Sequence, residues 1–465
     1  MIIQRRLIPH LAQIFRSKHN LISFLKNPKR AVKNARAAET KLNLSFVESM
    51  DDGFISKFPK RITRTSQVNS LDAHHLYLVN DETATKIARH LTESVDPSKT
   101  FVETNPGLGL LTKLLVQSDI TDLRLFEAHS EFSDDLQMMY TDVQPDRVKL
   151  RNFDLITLHR SLYVDQLTGG NRIDRTLSGL PSTEWENDTN FTLFGATGSS
   201  SFFWHLINSI VYQNSILALG RCEMYMVMPS LTYMTLAGSN SSALQYYRSL
   251  SILFQIFFEY QLLDKFPRAD FLPHLKNPPR VGKLNFRLRN NVKGIQLATV
   301  DPELMYFVKI VPRSDLYECC PPKQIQELWH FICLHCFARQ NRIIPLLEKW
   351  IPGCGARLLI DFCTKERKRP QRIHKFDLFE PPPSTNRSMT LSDRDYYDNL
   401  NIYTQFGDLQ PTQLLTLFRE FHAMPEYASC SFVASLERVL QKKTVIKSDE
   451  SSGSSASIKQ ARDVR

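Results

Sequence analysis

Nowhere in these 465 residues does an uninterrupted apolar run reach the roughly 20 residues needed to cross a bilayer. The nearest approach, Ser251 to Leu263, is broken by Gln255, Glu259 and Gln261 and reads as a buried helix, so a soluble protein without membrane contact is expected. The eight cysteines are scattered and form no disulfide-type framework, which suits a reducing compartment. Cys333-x-x-Cys336 has His330 and His335 beside it, but no second Cys-x-x-Cys follows to complete a zinc site. Leu328, Phe331 and Ile332 place the pair in a helical apolar pattern, and ordinary buried thiols are the reading. No internal repeat is present. The most informative absence is of acid, because residues 1–38 carry nine Lys/Arg and no Asp or Glu.

That absence relocates the net charge of +10, which by itself would point to nucleic acid. Taking those nine from the 58 basic residues leaves 49 against 48 acidic ones, so any nucleic-acid surface on the remainder has to be a local patch. In the leader, Ile3, Leu7, Leu11, Ile14 and Phe15 recur at helical spacing among Arg5, Arg6, Arg16 and Lys18. A basic, amphipathic, acid-free stretch is the pattern of a mitochondrial transit peptide; the alternative is a basic arm that holds nucleic acid directly.

What is present centres on Thr100 to Leu115, TFVETNPGLGLLTKLL. A short apolar run ends at Glu103, a turn follows on Asn105-Pro106-Gly107-Leu108-Gly109, and a helical pattern takes over at Leu110. Glycines in such a turn let backbone N–H groups approach a ligand at the positive end of a helix. Asp122 to Ala128 reads as a second strand ending in Glu127, 18 residues after Gly109, and Arg147 to Asp154 as a third ending in Asp154. In a parallel sheet the carboxyl ends of the strands line one crevice. An acid at the second strand's end is placed for ribose hydroxyls and one at the third for an adenine amine, which points to an adenosine-containing ligand; the alternative is three solvated turn acids.

Further on, 159–190 reads as an insertion or long loop. Phe191 to Ala196 and Cys222 to Met228 read as strands, Phe202 to Leu219 and Gln245 to Leu263 as helices, and Leu284 to Leu288 with Leu304 to Val311 as a closing antiparallel pair. The alternation predicts a doubly wound, Rossmann-like α/β domain over 71–313. A smaller helical C-terminal domain over 314–443 follows, with helices at Ile325 to Arg339, Arg342 to Trp350, Thr412 to Phe421 and Phe432 to Gln441. The transit segment is set at 1–38, a lead-in at 39–70, an extended linker over Phe376 to Asp398 and a disordered tail at 444–465.

Glu103 to Thr112 resembles the first motif of the ribosomal-RNA adenine dimethyltransferases, E-x-G-P-G-x-G-x-L-T, with Asn105 in place of the first glycine. The resemblance runs from about His74 to Arg313 and more loosely beyond. It implies a methyltransferase fold that uses S-adenosyl-L-methionine. Tyr77-Leu78 falls on the Phe-Leu of the family's Gln-Asn-Phe-Leu motif, which puts Leu78 beside the methionine end of the cofactor, while His75 and Leu76 replace the Gln and Asn. Asn105 and Gly107 would then sit in the cofactor turn, Glu127 on the ribose and Asp154 on the adenine. The family's catalytic Asn-Leu/Ile-Pro-Tyr/Phe precedes serines and a helix matched here by Ser199, Ser200 and Trp204-His205-Leu206-Ile207. Counting back from these puts Leu193-Phe194-Gly195-Ala196 in the catalytic slot. The amide and Pro carbonyl that would orient a target amine, and the aromatic ring that would stack on a flipped base, are missing there, unless Phe191 or Phe194 stacks in another register.

The leader, Asn105 and the Phe406-Gly407-Asp408-Leu409 segment resemble a mitochondrial branch of that family that acts in transcription. For that branch the resemblance implies the mitochondrial RNA polymerase and melted, single-stranded promoter DNA as partners, in the matrix nucleoid. The basic run Lys365, Arg367, Lys368, Arg369, Arg372 and Lys375, and a second one at Arg280, Lys283, Arg287, Arg289 and Lys293, are candidate nucleic-acid contacts; a solvated charged face is the alternative for either. Two other functions stay open: dimethylation of adjacent adenines in small-subunit rRNA, and a purely structural part in ribosome assembly.

Overall fold

The computed structural model describes residues 57–59, 62, 74–240, 246–274, 303–360, 381–385 and 400–445. The leader and both basic runs, 280–293 and 365–375, lie outside the described residues, as do the 284–288 strand and residues 446–465 of the tail, while 444–445 belong to the helix Ser431–Val445. The chain forms two compact units, residues 1–60 and 61–465. Everything below concerns the second.

A short strand, β1 (Tyr77–Leu78), precedes helix α1 (Asp81–Ser94). Asn80 caps that helix by accepting a hydrogen bond from the Thr83 N–H at 2.9 Å, and Ala84, Ile87, Ala88 and Leu91 supply its buried face at helical spacing. There follow β2 (Thr100–Thr104), α2 (Leu110–Val116), β3 (Leu123–Phe126) and β4 (Val148–Arg151), then β5 (Phe191–Ala196), α3 (Ser201–Tyr212) and β6 (Glu223–Pro229). With β7 (Phe258–Pro267) and β9 (Leu304–Pro312) these strands form one seven-stranded sheet in the order β4-β3-β2-β5-β6-β9-β7, and β8 (Phe271–Leu272) pairs with β1. The first five strands of that order run parallel and β9 is antiparallel to both neighbours. The order reverses between β2 and β5, which opens a crevice at their carboxyl ends.

Two expectations need correction. The segment 159–190 is not one long loop: it holds helices Leu158–Thr168 and Arg172–Leu177, turned at Gly169 in the left-handed conformation and pinned by Asp165 accepting from the Ile173 N–H. In the first of these only Leu158 is fully buried, so no apolar stripe announces it. Nor is Gln245 to Leu263 one helix. The helix is Ser249–Phe257, and from Phe258 the burial alternates with period two as β7 begins. Among the described residues, this strand and β6 are the antiparallel partners of 304–312.

After residue 313 the described elements are helical, among them Pro322–His335, Ile343–Leu347, Pro411–His422 and Ser431–Val445. Their apolar faces share one core with the sheet: Phe331, Phe418 and Phe432 belong to the same cluster as Phe254, Val308 and Leu193. Cys336 is buried in it, which pushes its thiol far above the usual range, and Cys333 packs at its margin. No helix among the described residues is long and apolar enough to cross a membrane.

Candidate functional site

The turn after β2 is built on three left-handed residues, Asn105 (φ 52°), Gly107 (φ 60°) and Gly109 (φ 73°). Asn is among the few side-chain-bearing residues that adopt this conformation readily, which explains how it replaces a glycine. Gly109 has a second reason to lack a side chain, because a Cβ there would lie 2.7 Å from the Tyr140 ring, whose hydroxyl donates to the Gly109 carbonyl at 3.1 Å. Asn105 is buried, and its Nδ2 has no hydrogen-bond partner among the described residues.

Around this turn the structure brings together the acids expected at the strand ends. Glu103 is buried at the end of β2 and accepts from the Thr112 hydroxyl at 2.8 Å. Burial pushes its carboxyl up to about 8 against that hydrogen bond, with the charge of Glu127 adding to the rise. Glu127, just past β3, is fully buried. Its Oε2 accepts from the Gly107 N–H at 3.0 Å, and its Oε1 accepts from the His129 N–H at 2.8 Å and the Tyr77 hydroxyl at 3.2 Å. Burial raises it to about 7 in spite of these three donors.

Asp154, past β4, is oppositely set. Burial would raise its carboxyl, but His75 at 2.9 Å, the Thr157 hydroxyl and the N–H groups of Ile156 and Thr157 together hold it down to about 2. The His75 ring meets the His129 ring edge-on at 5.6 Å, and Tyr77 packs on His129 and Phe132. A second histidine group continues outward: His74, its Nε2 2.9 Å from the Arg160 guanidinium, faces His159. Burial lowers both imidazoles, and the Arg160 charge lowers them further.

Leu78, expected beside the methionine end of a cofactor, is half-buried and paired with Phe271 in the β1–β8 ladder. The same segment bonds across the end of β5, where the Leu76 N–H donates to the Ala196 carbonyl at 3.3 Å. The catalytic slot lies within that strand. Leu193 sits between Val102 and Met224, Phe194 between Glu103 and Tyr225, and Gly195 faces Met226. A Cβ on Gly195 would lie 2.5 Å from the Thr104 hydroxyl. Phe194 packs against Phe307, and Phe191 is fully buried, so neither offers a ring face to a base. Beyond Ala196 the strand end supplies Thr197, whose hydroxyl accepts from the Ser199 N–H, and Ser199, whose hydroxyl accepts from the Ser201 N–H. Ser199 is matched in the sequence; Thr197, the Tyr77 hydroxyl and His129 are polar groups that sequence reasoning missed. The one signal for them was Tyr77, a hydroxyl-bearing residue at a position where the related motif has Phe.

Glu127 and Asp154 match in kind the groups that would hold an adenosine's ribose and adenine. In the state described here their oxygens already accept seven hydrogen bonds from the chain itself. The acids fit an adenosine ligand, and of their roughly eight acceptor sites about one is left open.

The family model "Ribosomal RNA adenine dimethylase" matches residues 69–346. The chain is 39% identical over 407 residues to "Dimethyladenosine transferase 2, mitochondrial" of Drosophila melanogaster, covering 86% of each chain. It is 20% identical over 335 residues to the human protein of the same name, covering 69% of this chain and 80% of the relative. Among solved structures, a dimethyladenosine transferase from Plasmodium falciparum superposes with a TM-score of 0.42 at 11% identity, over 74% of this chain and 97% of its own.

Proposed function

The chain belongs to the ribosomal RNA adenine dimethylase family, and from that premise we propose that it is a mitochondrial transcription initiation factor that joins the mitochondrial RNA polymerase and helps melt promoter DNA. Its α/β unit has the Rossmann-like fold of the S-adenosylmethionine-dependent methyltransferases. The observation that carries the proposal is the catalytic slot. Base methylation needs a side-chain amide and a backbone carbonyl to aim the amine's lone pair, and an aromatic face to hold the flipped base. Leu193, Phe194 and Gly195 are interior strand residues, and Ala196 at the strand's end has its carbonyl engaged by Leu76. Losing the alignment forfeits much of a proximity effect of about 7–11 kcal/mol, and losing the base stack costs about 1–3 kcal/mol more. A family fold that is kept while its chemistry is absent fits a protein that binds nucleic acid.

The names of the two mitochondrial relatives support a mitochondrial location, and the acid-free leader supports import to the matrix. Melted promoter DNA is held by phosphate contacts and stacking, for which Lys365, Arg367, Lys368, Arg369, Arg372 and Lys375 are the candidates. A promoter template with a fluorescent adenine analogue at the start site tests this. Adding the chain to polymerase should raise the analogue's fluorescence as the strands part, without S-adenosylmethionine. An unchanged signal would sink the proposal.

One observation favours the second reading, dimethylation of small-subunit rRNA: Glu127 and Asp154 both stand at the strand ends where an adenosine cofactor would need them. On that reading, methyl transfer to unmodified small-subunit rRNA is measurable and disappears in Glu127→Ala.

A further inference from the structure

Two side chains in the β1 segment depart from the related motif: His75 stands for Gln and Tyr77 for Phe. These are the same two that occupy the crevice acids. The hydroxyl that Tyr77 adds donates to Glu127, where a ribose hydroxyl would donate. The His75 ring nitrogen meets Asp154, where an adenine amine would, and its ring lies edge-on to His129. Backbone bonds hold the segment in this position. The Leu76 N–H donates to the Ala196 carbonyl, the Val79 N–H donates to the Asp270 carbonyl at 2.9 Å, and Tyr77 and Leu78 pair with Leu272 and Phe271. Downstream, the Thr83 hydroxyl ties the start of the next helix to Asp270 at 2.6 Å.

We propose that residues 74–79 are an internal plug, in which His75 and Tyr77 take the places of an adenosine's base and sugar and keep adenosyl ligands out of the crevice. Asp154 accepts four bonds and Glu127 three. With about four acceptor sites on a carboxylate, Glu127 has room for only one of a vicinal diol's two hydroxyls until a donor leaves. Entry therefore requires the segment to swing away, and the apparent affinity is divided by the small fraction of molecules in which it has done so. The inference rests on Glu127 and Asp154 being the adenosine site and not on the transcription role, so the promoter experiment and the one below fail independently.

Calorimetric titration with S-adenosylhomocysteine tests the plug without asking for activity. Restoring the related motif in His75→Gln/Tyr77→Phe should tighten binding at least about tenfold over the unaltered chain. Equal or weaker binding by the variant, or no binding by either protein, overturns the plug. Should the double variant lose its circular-dichroism spectrum, Tyr77→Phe, which removes one hydroxyl, is held to the same direction, with a gain of roughly threefold or more. Amide exchange gives a second reading: saturating S-adenosylhomocysteine should speed exchange at the Leu76 and Val79 N–H groups. Unchanged or slower exchange there would mean that the ligand binds with the segment in place, which also overturns it.

Discussion

Glu103 and Glu127 are buried carboxyls whose ionised forms are disfavoured in the fold, to about 8 and about 7. The folded chain binds protons that the unfolded chain releases in the ordinary carboxylate range. Stability from these groups is thus full below about pH 4 and is lost as pH rises toward 8. Asp154, held down to about 2, works the other way: its contribution is present above its unfolded value and lost only in strong acid. His205, lowered to about 4 by burial and then by His159, loses its contribution as pH falls from the usual imidazole range. Glu103→Gln keeps an oxygen for the Thr112 hydroxyl and removes the ionisation. Its unfolding free energy from urea titration should match the unaltered chain's near pH 4 and exceed it at pH 8, by on the order of 4 kcal/mol. A gain of the same size at both pH values would mean that packing, not ionisation, is responsible.

At the scale of elements, the turn between β2 and α2 is the one whose residues announced it. Two glycines and an Asn in the left-handed region follow from the ligand-loop pattern, and so do the acids one and two strands away. Gly109→Ala places a Cβ against the Tyr140 ring in a strained backbone, and should cost about 2 kcal/mol or more. Combining it with Tyr140→Ala should cost clearly less than the two single losses added together; strict additivity would remove the ring from the explanation. The helix-to-strand change at Phe257–Phe258 was legible only in part. Gln255 and Glu259 keep helical spacing, and Glu259 and Gln261 keep strand spacing, so the apolar run satisfies both periods and pairing with β9 decides. What the sequence could not show is the plug. Occupation of Glu127 by Tyr77 and of Asp154 by His75 joins residues 50 and 79 positions apart, and only the sheet topology brings them together.

Among the described residues of 61–465, sheet and helices share one apolar cluster, and Phe331 lies within it, ringed by Phe406, Phe418, Phe421 and Phe432. Phe331→Ala should cost about 3–5 kcal/mol and lower the transition of the sheet and of the helices together. Two separate transitions by calorimetry would show that the helical part melts alone. The same scale holds the main claim, that the methyltransferase fold persists here without its chemistry and serves transcription. Its most direct test puts both activities in one tube: polymerase, promoter template, unmodified small-subunit rRNA and radiolabelled S-adenosylmethionine. The prediction is strong stimulation of run-off transcript, equal with and without the cofactor, and rRNA methylation near background. Efficient labelling of the rRNA with no stimulation of transcript would contradict it.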